Sequence, residues 1–86
     1  MNSRAFDVIS DDDTRRAAAI LQHAGRRDAT GIDAVVEEAV ERGRLVHLVF
    51  AQAVLSQTLF PTLASEYGMG CINSYIGRVA ARGTDD

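Results

Sequence analysis

The chain has 86 residues, 47% of them hydrophobic and 24% charged, with a formal net charge of −3. These totals exclude a disordered polymer or a large multidomain protein and leave one small globular domain with a thin margin of buried surface. The acidic balance argues against nucleic acid or an anionic membrane as the main partner, and a lone cysteine, Cys71, excludes an internal disulfide.

Residues 1–9 read as an N-terminal arm in which Phe6, Val8 and Ile9 can pack back. The start lacks the apolar core of a signal peptide, so a cytoplasmic protein is expected. Ser10 followed three residues later by Asp13 fits a capping box, and Asp11, Asp12 and Asp13 put negative charge where a helix dipole favours it. The first helix should then run to about Ala24, with Gly25 as its left-handed terminator. Its buried edge is Ala17, Ile20, Leu21 and Ala24. Asp11 with Arg15 and Asp12 with Arg16 read as i,i+4 pairs on a solvated face.

Thr30 and Asp33 repeat the capping pattern and should open the second helix. Its stripe is Ile32, Val35, Val36, Ala39 and Val40, while Glu37, Glu38, Glu41 and Arg42 face water. The stripe continues past Gly43 without a phase change, so periodicity alone permits one long helix. Arg42 and Gly43 nevertheless make a reasonable helix end, and a break is expected there.

Residues 45–60 form the most unusual segment. At ~100° per residue, their apolar side chains cover nearly the whole helical circle. A narrow polar slot holds His47 and Thr58, and Gln52 and Ser56 project from the most apolar face. A surface helix shows one buried stripe, so the second face needs a cover. Either the other helices wrap it, or a face centred on Leu48, Leu55 and Leu59, with Gln52 and Ser56, meets a second copy or another protein. On the latter reading Phe50 and Val54 lie on the intramolecular side. The segment is shorter than the ~20 residues of a spanning helix, and it lacks the basic face of a membrane-surface helix.

Pro61 should open a short helix over 61–67, ended by Gly68 and Gly70. A last helix over 71–82 carries Ile72, Tyr75, Ile76, Val79 and Ala80 at helical spacing, with Gly83 as its stop. Residues 84–86 read as a disordered tail. The expected fold is all-α: one domain over 10–83, a small bundle of four to five helices with a central apolar helix at about residues 45–60.

No residue pattern points to catalysis. His23 and His47 lack the Glu-x-x-His spacing of a di-iron bundle, and Asp11, Asp12 and Asp13 lack the alternate ligands and glycine of a calcium loop. Cys71, at the expected start of the last helix, is the one reactive candidate, because a helix N-terminus lowers a thiol pKa, but it has no base beside it in sequence. The glycines at 68, 70 and 77 follow no strand and match no phosphate loop. No cofactor or metal is expected. The first two helices could imitate a helix-turn-helix, although the second would turn three glutamates towards phosphate. The expected function is therefore a non-enzymatic protein–protein interaction module of adaptor or inhibitor type, acting as a homodimer. A DNA-associated regulator with a helix-turn-helix-like N-terminal half is the alternative.

Overall fold

The computed structural model describes residues 8–83, so the expected tail and the arm up to residue 7, with Phe6, lie outside the described residues. Four α-helices follow one another: α1 (Asp11–Gly25), α2 (Ala29–Glu41), α3 (Leu45–Leu59) and α4 (Glu66–Ala81), with a 3-10 turn at Pro61–Ala64. The described residues contain no strand, so the chain is all-α. Its internal packing divides it into two compact units, Met1–Leu55 and Ser56–Asp86.

In the first unit, α1 begins at the expected capping box. The Ser10 hydroxyl accepts the Asp13 amide at 3.1 Å, and the Asp13 carboxylate accepts the Ser10 amide at 2.9 Å. The helix ends differently from expectation. Gly25 stays helical, and Arg27 takes the left-handed conformation at φ 58°. The amides of Arg27 and Asp28 then donate to the carbonyls of Ala24 and His23 at 3.1 and 2.9 Å. This 5→2 and 6→1 pattern is a Schellman motif with arginine where glycine is usual. Asp28 explains the displacement, because its carboxylate caps α2 by accepting the Gly31 amide at 2.9 Å. One residue thus closes the first corner and opens the next helix, and the cap expected at Thr30 is not used.

The corner between α2 and α3 repeats the motif with glycine in place. Gly43 has φ 68°, and the amides of Gly43 and Arg44 donate to Val40 and Ala39 at 3.0 and 2.7 Å. The expected break at Gly43 is present. Between the three helices lies a small core of Ala17, Ala39, Leu48 and Ala51, with Ile9, Ile20 and Leu55 packed against it. Alanine at 17 and 39 leaves little side chain to hold the backbones of α1 and α2 apart. Leu21, Ala24 and Val40, expected inside, are exposed.

In the second unit, Pro61 opens a 3-10 turn rather than an α-helix, and Ser65 caps α4. The Ser65 hydroxyl donates to the Thr62 carbonyl at 2.5 Å and accepts the Gly68 amide at 3.1 Å. The helix therefore starts at Glu66 and runs straight through Gly68 and Gly70, which had been expected to end a helix. Gly68 is needed for closeness: a Cβ there would collide with the Thr62 carbonyl and lie 2.7 Å from Leu63 Cα. After α4, Gly83 turns left-handed at φ 61°, at the expected stop.

The two corners make opposite predictions. Arg27→Gly should raise stability by about 0.5–1 kcal/mol, since glycine carries no left-handed penalty. Gly43→Ala, with open space around it, should lower stability by about the same amount. Urea melts with unchanged m-values would confirm both.

Candidate interaction surface

The orientation of α3 is set by a buried carboxylate. Asp13 is 0% exposed. Its Oδ1 accepts Arg44 Nε at 3.2 Å and Arg16 Nη1 at 3.3 Å, and its Oδ2 accepts the Ser10 amide and Arg44 Nη2. The Arg44 contact is a bidentate fork, the geometry that best suits a carboxylate. Arg44 Nη2 also donates to the Val8 carbonyl at 3.0 Å, and Arg16 Nε to Glu38 at 2.7 Å. The expected solvated pairs of Asp11 with Arg15 and Asp12 with Arg16 are replaced. Asp12 bonds Arg15, and Arg16 turns inward.

The Arg44 hydrogen bond outweighs burial and holds the Asp13 carboxyl far below the usual range, and the same bond raises Arg44. The hydrogen bond from Arg16 lowers Glu38 likewise, and the Gly31 amide, together with nearby His23 and Arg26, lowers Asp28. Arg44 directly precedes α3. The clamp therefore ties the first residues of that helix to the start of α1.

With α3 so placed, Leu48 is 3% exposed inside the core, and Leu55 packs against it. These two residues were expected on the outer face, so the expected assignment of faces is reversed for them. Gln52 and Ser56 are half-buried, and Leu59 alone of the five expected interface residues is exposed. The outer face in the first unit carries Val46 (64% exposed), Val49 (62%) and Ala53, with Leu45 at its edge. Phe50 is half-buried and Val54 exposed, although both were expected inside. His47 is half-buried in the first unit, and its buried Nδ1 has no hydrogen-bond partner among the described residues. Thr58 belongs to the second unit and is exposed.

Within the second unit, no apolar side chain among the described residues is buried. Phe60, Tyr67, Met69, Ile72, Tyr75 and Ile76 are all exposed, and Val79 is half-buried. Met69, Ile72, Ile76 and Val79 share one side of α4 by their helical spacing. Arg78 lies 5.8 Å from the centroid of the Tyr75 ring, within cation–π reach.

The remaining candidates have ordinary surroundings. A groove of about 650 Å³ lies between α1 and α2, but its Arg15 and Arg16 are already bonded to Asp12, Asp13 and Glu38. At its end the His23 ring packs on Gly31, with Nδ1 3.1 Å from Asp28 Oδ2. A Cβ at position 31 would strike that ring. Cys71 is exposed in the second turn of α4 rather than at its start, beyond the reach of the helix dipole that was expected to activate it. Among the described residues no three His, Cys, Asp or Glu side chains gather as a metal site, and no helix is long and apolar enough to cross a membrane.

No protein-family model, curated protein or solved structure matches this chain. The surface itself is therefore the ground for a functional reading.

The carboxylate clamp gives the second prediction. Asp13→Asn leaves two guanidiniums without their carboxylate and should cost about 3 kcal/mol, the range for breaking a buried ion pair. In the native chain the folded carboxyl titrates below its ordinary value of 3.8. Between those two values the unfolded chain binds the extra proton. Stability should thus be steady above about pH 5 and fall progressively below about pH 4. Urea midpoints across this range should show that acid fall, with a shallower one in Asp13→Asn.

Proposed function

We propose that the protein is a small, non-enzymatic helical interaction module of adaptor or inhibitor type, and that it works as a homodimer in which α3 becomes the central helix of the assembled bundle. The observation that carries this reading is the exposed apolar face of α3, with Val46 and Val49 more than half accessible opposite the buried Leu48 and Ala51. Single exposed apolar residues are normal on any protein. Here they stand at i, i+3 and i+7 on one helix, at 46, 49 and 53, and such contiguity marks a face that is covered in use.

Charge supports a protein rather than a nucleic-acid partner. The exposed side of α2 carries Glu37, Glu38 and Glu41, which would repel phosphate. A reducing, cytoplasmic setting suits a lone exposed cysteine.

Sedimentation equilibrium at micromolar concentration should give twice the 9.3 kDa of one chain. Val49→Asp should give the mass of one chain with its helical circular dichroism intact. A wild-type mass of one chain would remove the homodimer.

A further inference from the structure

The apolar side of α4 reads the same in both directions. Met69, Ile72, Ile76 and Val79 are separated by three, four and three residues. That is the seam spacing of paired helices. Reversal about position 74 exchanges Met69 with Val79 and Ile72 with Ile76. An antiparallel second copy therefore sets an apolar residue against every apolar residue. The same reversal exchanges Glu66 with Arg82, so each end of such a pair holds one acid and one base. A parallel copy would put Glu66 level with Glu66 and Arg82 level with Arg82, like charges at each end, and would align the two helix dipoles.

The other apolar helix of the chain offers no such match. Residues 45–60 contain no Asp, Glu, Lys or Arg, so α3 has nothing to complement the charges that flank the α4 stripe. A second α4 supplies both signs at the right level. The stripe is also free to receive it, since Met69, Ile72 and Ile76 are exposed.

We propose that two copies of the protein dock through α4 in antiparallel orientation, with Ile72 of one copy beside Ile76 of the other. This rests on the homodimer reading above and adds to the α3 face a second contact, on α4, without which the two copies do not stay paired. Asn73 and Tyr75 flank the seam, while Gly70, Ser74 and Gly77 lie on the far side of the helix and take no part.

The test uses full-length chains carrying Cys71→Ser, with Ile72→Cys in one preparation and Ile76→Cys, on a tagged chain, in the other. After mixing and mild oxidation, the mixed 72–76 disulfide should dominate, because facing seam positions come within the ~7 Å that a disulfide tolerates. Dominance of 72–72 and 76–76 products would show parallel pairing and overturn the proposal. A two-chain mass without any cross-link would also overturn it and place the dimer contact elsewhere, leaving the homodimer reading intact. A one-chain mass would remove both. A second pair guards against poor oxidation: Ile72→Glu and Ile76→Lys chains should each be monomeric alone and should dimerise when mixed. Failure of the mixture to dimerise counts against the proposal in the same way.

Discussion

The carboxylate of Asp13 has no contact with solvent, and such burial is tolerable only because Arg44 grips both of its oxygens while Arg16 and the Ser10 amide take the remaining positions. Buried ion pairs add little net stability compared with well-packed apolar groups, but they are intolerant of the wrong geometry. Here that intolerance locates things. Asp13 is the third residue of α1, and Arg44 is the last residue before α3. Their fork brings together two points 31 residues apart in the chain, and Arg16 carries the same network on to Glu38 of α2. All three helices of the first unit are thereby tied to one carboxylate, with a core of three alanines and one leucine beside it.

Two corners make this possible. Each ends a helix with the same pair of backbone bonds and restarts the chain at once. At the first corner Asp28 both follows the left-handed residue and caps α2; at the second, Arg44 follows Gly43 and enters the clamp. Because the second corner and the clamp share Arg44, the turn fixes the rotation of α3 as well as its direction. Leu48, Ala51 and Leu55 turn inward and Val46 and Val49 turn out. An outward apolar face is thus a consequence of how the corner is anchored.

Much of the local structure was legible because it depends on near neighbours. The capping box at Ser10 and Asp13, the stops at Gly43 and Gly83, and the exposed glutamates of α2 all follow from a few adjacent residues. The burial of Asp13 was misread because three consecutive aspartates look like a solvated helix start. A trace existed: stepping back one turn from Ala17 along the buried stripe lands on Asp13. The inward side of α3 was not legible at all. Its valines, leucines, alanines and Phe50 surround the helix, so periodicity assigns no side, and the deciding partner is a charge outside the helix. Gly68 was misread for a related reason. Glycine usually ends a helix, whereas here it admits the Thr62 carbonyl from a preceding turn.

The contrast between the units carries the functional account. The first unit has a core, however small, while the described residues of the second bury no apolar side chain. A helix of 16 residues that carries three glycines and packs only on the short turn before it is marginal in water. Amide hydrogen exchange of α4 as a function of protein concentration therefore tests the central claim most directly. The account predicts slow exchange at tens of micromolar that becomes fast on dilution, as a second copy leaves the stripe. Exchange in α4 that does not change with concentration, whether fast or slow, would contradict it.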